Sequence, residues 1–442
     1  LFSTATPLAG DLVTRAGGNT VISVAMDAGG NVLRNEDRTT VQATGSVTNA
    51  DELFNSGQFG IETGASVTAD RFNNTGSGNL VLAGELNAQL IGGVDSSATL
   101  NNATINHHVR NSGSLSGNGT ITGLVTNSGE FNPNGEMNIG RLLNLSGGEV
   151  KIAGGDTILS QGNVANSGLI ELIGDENAKG LLHLVTVDSR LSNQSGGILR
   201  MMGGDLTASV LNEVGGLLEI HADAEIDGTL TNNGEISAPV DDRVTLTLLN
   251  DKTFINNGRI DAQTYLTIRA SQIVLEENSS VNGSRVNLIG DVYNSGDLDF
   301  PDDAVLENNI LNTPDGLMRV WANVDGQGNS VLNEGRMEIN HDFNSSGNLF
   351  NVSELRNSGE IDIASGTKLE AVAINNNAGG EIVVAGDMTG AVANAADATI
   401  ALRGGRITGD VANTGVLDGR GTVTGTVQNN TGTSSTPVFA TS

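Results

Sequence analysis

Leu355-Arg-Asn-Ser-Gly-Glu-Ile-Asp-Ile363 is followed by Ile374-Asn-Asn-Asn-Ala-Gly-Gly-Glu-Ile-Val-Val384, then by Val392-Ala-Asn-Ala-Ala-Asp-Ala-Thr-Ile-Ala-Leu402 and Val411-Ala-Asn-Thr-Gly-Val-Leu417. Asn375, Asn394, Asn413 and Asn429 serve as anchors of a step that stays close to constant. Self-similarity at about 20 residues, made of short apolar alternations, marks a solenoid whose units are each too small to bury a core alone. Ile361 and Ile363 alternate with Glu360 and Asp362, so one face of that strand is apolar and the other charged. A second strand is carried by Leu369, Met388, Ile407 and Val423, and a third by Val392, Val411 and Val427. Between them Gly366, Gly386, Gly390, Gly409 and Gly425 read as corner residues at positive φ. The Asn amide can bond local backbone, and repeated coil after coil it can form an internal ladder.

Coils of this length with no helix between strands imply an all-β fold, a right-handed parallel β-helix with coils of about 20 residues. Successive coils would pair at about 4.8 Å, and roughly twenty of them would give a rod on the order of 100 Å. The competing arrangement is a β-sandwich of antiparallel hairpins. Hairpins, however, give no reason for one Asn-x-x-Gly corner to recur.

Composition narrows the class. The 442 residues include 60 Gly but only 10 Phe, 2 Tyr and 1 Trp, a mixture suited to a thin coil interior rather than to a globular enzyme of this size. Acids outnumber bases 51 to 22, giving a net charge of −29. Such a field repels nucleic acid and anionic lipid, so neither is an expected partner. It leaves room for weak surface calcium, with no cofactor otherwise expected. Cysteine is absent, as exported bacterial rods often lack it. No apolar run is long enough to read as a membrane span. Leu1-Phe-Ser-Thr-Ala has neither an initiating Met nor a basic segment, so the numbering reads as starting at a processed or trimmed end.

In chain order, residues 1–45 read as an N-terminal cap with irregular first coils, 46–430 as the β-helix, and 431–442 as a C-terminal tail or exchangeable strand. The repeat begins at Leu53-Phe-Asn-Ser-Gly-Gln-Phe59. It recurs at Asn73, Asn111, Asn127, Asn166, Asn193, Asn212, Asn232, Asn256, Asn294, Asn312, Asn333, Asn344 and Asn357. Two long gaps, Asn73 to Asn111 and Asn256 to Asn294, are each twice the usual step and read as two units with a weakened corner. Asn101 and the run from Glu276 to Val281 are the candidates for those hidden corners. Asn333 and Asn344 lie closer than one step, so one of them marks an extra turn or loop. Leu1, Phe2, Val438 and Phe439 are candidates for self-association, because a β-helix end is an open edge that invites strand addition. A homopolymer through ends or edge strands would follow.

Gly117-Asn-Gly-Thr-Ile-Thr-Gly-Leu-Val-Thr-Asn-Ser-Gly-Glu-Phe-Asn-Pro-Asn-Gly135 resembles the passenger repeats of Gram-negative autotransporters, and Gly419-Arg-Gly-Thr-Val-Thr-Gly-Thr-Val-Gln-Asn429 repeats its first half. Filamentous haemagglutinin-like exoproteins look similar, sharing a corner like Asn132-Pro-Asn-Gly135. The resemblance covers most of 53–430 as a pattern, and lacks the autotransporter membrane barrel and the opening features of the haemagglutinin secretion domain. It implies an extracellular, cell-surface rod that adheres or builds surface structure.

Any chemistry would have to come from carboxylates and histidines. Asp241-Asp242, Glu276-Glu277 and Asp302-Asp303 are adjacent pairs, and strand neighbours point to opposite faces, so each supplies at most one group to a cleft. The Gly-His-Gly and Arg-x-Lys signatures of pectin-cleaving β-helices do not occur. His107-His108 is the single histidine cluster among His107, His108, His183, His221 and His341, and makes a poor chelate. Gly154-Gly-Asp156 and Gly203-Gly-Asp205 are fragments of a calcium-roll motif that do not recur with its nonapeptide period. Trp321 falls on the outward alternation with Arg319. The expectation is therefore a non-catalytic extracellular surface protein: adhesin, biofilm-matrix fibre or filament subunit, meeting cell-surface or matrix components. The alternative is a carbohydrate-active β-helix, a polysaccharide lyase or hydrolase with carboxylates converging from successive coils.

Overall fold

The alternation of Glu360–Ile363 is reproduced in space: Ile361 and Ile363 are fully buried while Glu360 and Asp362 face outward. In the computed structural model Ile361 lies in parallel register with Ile382, Ile382 with Ile400 and Ile400 with Leu417. A second column runs Leu369, Met388, Ile407, Val423, and a third Ile374, Val392, Val411, Val427. Three strands per coil result, where the sequence allows two or three. The chain is an all-parallel β-solenoid of about 21 turns, each about 19 residues, with no helix among the described residues. The structure describes residues 7–175, 177–239, 243–301, 303–340, 346–430, 433–435 and 439–441.

The coils fall into two compact units, Leu1–Gly228 and Thr229–Ser442. In each, the interior is a column of aliphatic side chains with an occasional phenylalanine, such as Phe72 and Phe131 in the first and Phe254 in the second. Burying one such side chain is worth about 1.5–3 kcal/mol. No single coil closes that surface alone, so stability accrues from stacking.

Several details differ from the sequence reading. The first coils, expected before residue 46 as irregular ones, pair as the later coils do: Leu12–Thr14 pairs in parallel with Leu33–Asn35, which pairs with Leu53–Asn55. Residues 12–45 escape the pattern because their corner at Asn35-Glu-Asp-Arg38 carries no glycine. Asn101 marks no missing row position; the vacant position in the first long gap is Gly92, in register with Asn74 and Asn111. In the second gap it is Leu275, in register with Asn256 and Asn294, immediately before the Glu276 corner. The interval from Asn127 to Asn166 also holds two coils, with Asn144 between them.

Gly386 is no positive-φ corner, whereas Gly366, Gly390, Gly409 and Gly425 are. A Cβ on Gly386 would lie 2.3 Å from the Ala364 carbonyl oxygen and 2.4 Å from that of Thr367. Its constraint is the closeness of the coil beneath. At the C-terminal end, Phe439–Thr441 is a strand paired with Thr422–Thr424 of the same chain, and Thr433–Ser435 pairs with Val416–Asp418. The sequence leaves this segment as a tail or an exchangeable strand. Leu1, Phe2, Asp241, Asp242, Asp302, His341, Asn344 and Val438 lie outside the described residues.

Candidate functional site

At the end of most third strands an asparagine points inward, two residues after a buried aliphatic or aromatic side chain, as in Leu142-Leu-Asn144 and Ile374-Asn-Asn376. Inside the solenoid these amides form a directional row. Each Nδ2 donates to the Oδ1 of the asparagine one coil further on. In the first unit Asn35 donates to Asn55 at 2.6 Å and Asn55 to Asn74 at 2.7 Å. After the break at Gly92, Asn111, Asn127, Asn144, Asn166, Asn193 and Asn212 follow at 2.7–2.9 Å. In the second unit Asn232 donates to Asn256 at 2.7 Å. Beyond Leu275 the row runs Asn294, Asn312, Asn333, Asn357, Asn376, Asn394, Asn413, Asn429 at 2.7–2.8 Å.

The same amide also closes the corner. Asn127 Nδ2 faces the Gly129 carbonyl at 2.9 Å and the Glu149 carbonyl of the next coil at 3.1 Å. Asn333 repeats this with Gly335 at 3.2 Å and Glu360 at 3.0 Å. A buried amide without partners would cost about 1–3 kcal/mol. Here every polar atom of the side chain is used, which makes the row a stabilising and register-fixing device. Asparagine satisfies the geometry because its short stem carries a two-proton donor beside a separate acceptor oxygen, so one side chain can bond the coil on either side and its own corner.

Asn111, Asn127, Asn232, Asn256, Asn294, Asn357, Asn394 and Asn413 sit in this row. Asn375 does not: it faces outward and donates to Glu354 Oε1 at 2.7 Å, while Asn376 holds the buried position. Asn73 likewise faces Glu52, and Asn74 is in the row. Asn35, Asn144, Asn74 and Asn376 become identifiable when the anchor is required to fall in phase with the preceding buried residue.

Where the row is broken the compensation differs. At Gly92, Ser96 is buried and its hydroxyl donates to the Gly93 carbonyl at 2.8 Å. Beside Leu275, the Ser279 hydroxyl is buried with no hydrogen-bond partner among the described residues.

Outside, bases are set among acids of neighbouring coils. Glu171, Arg200 and Glu219 are in register, and Arg200 bonds both carboxylates at 2.6 Å. Those bonds, the one to Glu219 foremost, raise the guanidinium pKa further above its ordinary value despite partial burial. Lys179 is raised likewise by its bond to Asp205, against the opposing effect of burial. In the second unit Arg319 meets Asp299 at 2.9 Å, Arg336 meets Glu338 at 2.9 Å and Asp362 at 3.3 Å. The Glu354 carboxyl is held below its usual range by Arg356 first and Asn375 second.

His107 and His108 are exposed, and their rings meet edge-on at 5.0 Å. His108 Nδ1 accepts the Leu124 backbone N–H at 2.9 Å, so that nitrogen is committed to the corner. His221 Nε2 lies 3.4 Å from Glu219, and His183 is half-buried on an outward strand position. Trp321 is half-buried on the outward alternation. Among the described residues no group of three or more His, Asp or Glu is arranged to hold a metal ion. Compared with known proteins, the chain matches no family model and no curated sequence.

Proposed function

We propose that this chain is a non-catalytic extracellular surface protein whose role is adhesive or structural, in the manner of the autotransporter and haemagglutinin-like repeats it resembles. The observation that carries this reading is the tightness of the corners. Gly148 donates to the Leu145 carbonyl, Gly216 to Glu213, Gly316 to Thr313 and Gly380 to Asn377, at 2.8–2.9 Å in every case. Strands joined by such closed three-residue steps, with amides tied between coils, make a stiff ladder in which pulling must break many backbone bonds together. Acidic outer faces keep it soluble and present charge to cell-surface or matrix components. Self-association through the ends, involving Leu1, Phe2, Val438 and Phe439, belongs to the same reading.

Four experiments test it. Antibody labelling of intact cells should detect the chain without permeabilisation, and negative-stain microscopy should show plain particles or filaments. Incubation with acidic polysaccharides should release no reducing sugar. Release abolished by one carboxylate substitution would overturn the proposal in favour of a carbohydrate-active solenoid. Filaments that persist after deletion of residues 433–442 would remove the C-terminal strand from any assembly contact.

A further inference from the structure

One row position per coil in the first unit, 14, 35, 55, 74, 92, 111 and 127, gives successive increments of 21, 20, 19, 18, 19 and 16. Positions 312, 333, 357, 376, 394, 413 and 429 of the second unit give 21, 24, 19, 18, 19 and 16. Coils elsewhere do not follow this series: from Asn144 to Asn166 and on to Asn193 the increments are 22 and 27. We infer that residues 8–128 and 306–430 are two copies of one six-coil module, produced by internal duplication. The single length difference is the longer second increment of the later copy, placed between Asn340 and Gly347 where the first copy runs from Gln42 to Gly45.

Inward aliphatics would coincide in any two coils of a solenoid, so they decide nothing. The outward and irregular features decide. The strand Ser46–Asn55 matches Asn348–Asn357 in length, and their pairings slip at the equivalent places, Val47/Ala50 and Leu349/Val352. Asn49 and Asn351 both adopt φ of 55°, the left-handed region. Asp27 Oδ1 accepts the Gly29 N–H at 2.9 Å and the Asn49 amide at 3.0 Å. Asp325 Oδ1 accepts the Gln327 N–H at 2.9 Å and the Asn351 amide at 3.0 Å.

Further pairs agree bond for bond. Val32 N–H meets Asp11 at 3.0 Å, and Ser330 N–H meets Asn309 at 2.9 Å. Asn73 bonds Glu52, as Asn375 bonds Glu354. His108 Nδ1 accepts from Leu124, and Asp410 Oδ1 from Thr426 at 2.8 Å, so one copy uses imidazole where the other uses carboxylate. Volume has also been exchanged inside: Gly92 with Ser96 in one copy stands against Asn394 with Ala398 in the other. A Cβ on Gly92 would sit 3.3 Å from Asn111 Oδ1 and 3.4 Å from Ser96 Oγ, so the two exchanged positions are neighbours.

The chain therefore presents one outward surface twice, with Asp27, Asn49 and Glu52 repeated as Asp325, Asn351 and Glu354.

Replacing residues 46–128 by 348–430 in the full chain tests it, beside a control receiving residues 149–231, a stretch of equal length. The module exchange should keep a β-type circular dichroism spectrum and an unfolding midpoint within about 5 °C of the parent. The control should misfold. An exchange that unfolds, or a control that folds equally well, overturns the duplication. An independent arm needs no chimera: Gly92→Asn with Ser96→Ala should unfold at higher denaturant than Gly92→Asn alone. A double variant no better than the single one contradicts the assignment.

Discussion

The inside and outside of the same coils carry opposite solutions to one problem, the joining of each turn to the next. Within, Asn312, Asn333 and Asn357 hand an uncharged amide bond along a dry column. Outside, Arg319 with Asp299 and Arg336 with Asp362 join successive coils through charges that are a quarter to a half exposed. Both rows look equally regular, yet their energies should differ several-fold. Exposed pairs are screened by water and contribute about 0–1 kcal/mol, whereas a buried amide deprived of its partners costs about 1–3 kcal/mol per orphaned group. The lesson is that the neutral row fixes the register and the charged rows decorate it.

The sharpest way to break the comparison is at a corner glycine beside the row. A Cβ at Gly359 would stand 2.0 Å from the Gly335 carbonyl oxygen, so Gly359→Ala must push two coils apart. A loss of about 4 kcal/mol or more is expected, read as a fall in the urea midpoint or failure to fold. Next comes Asn333→Asp, which keeps shape and removes the donor. It strands the acceptors on Asn357, Gly335 and Glu360 and buries a carboxylate, for an expected loss of about 3 kcal/mol.

On the outer side, Arg200→Met should cost only about 1–2 kcal/mol, because Glu171 and Glu219 can turn towards water. Equality of this loss with that of Asn333→Asp would erase the distinction drawn here. Ser279→Ala should go the other way, gaining about 0.5–1 kcal/mol by removing a buried hydroxyl that, among the described residues, has no partner.

Smallest of all is an acid effect at Glu354. Its carboxyl is lowered in the folded chain, so its contribution is present above the ordinary value of 4.5 and is lost as pH falls through the folded value below that. Carboxyl NMR titration should show Glu354 ionising below 4.5, and Arg356→Gln should move it back up. No movement in that variant would mean the pair is not formed in solution.

Much of this architecture is legible in the residues. The three columns through Ile361, Leu369 and Val392 follow from period-two alternation, because a strand buried on one side has no other way to hide aliphatics. The row itself is readable to within one residue. At Asn375-Asn376 and Asn73-Asn74 two asparagines compete, and only the phase set by Ile374 and Phe72 says which one turns inward. Corner glycines are visible, but not their reason. Gly386 is imposed by a carbonyl one coil away, and such a neighbour cannot be seen along the chain. Gly92 and Leu275 are hidden for the opposite cause: a broken row leaves no asparagine to count. The paired outward bonds of the two modules are concealed by substitutions such as His108 for Asp410, which keep an acceptor while changing the residue type.

The two adjacent amides offer the most direct test. Side-chain N–H exchange followed by NMR at Asn376 and Asn375 compares a buried row member with its exposed neighbour under identical conditions. Asn376 Nδ2 protons should be protected by about a thousand-fold or more relative to those of Asn375, since only coil opening exposes them. Equal exchange at both positions would contradict the claim that an internal asparagine row binds the coils.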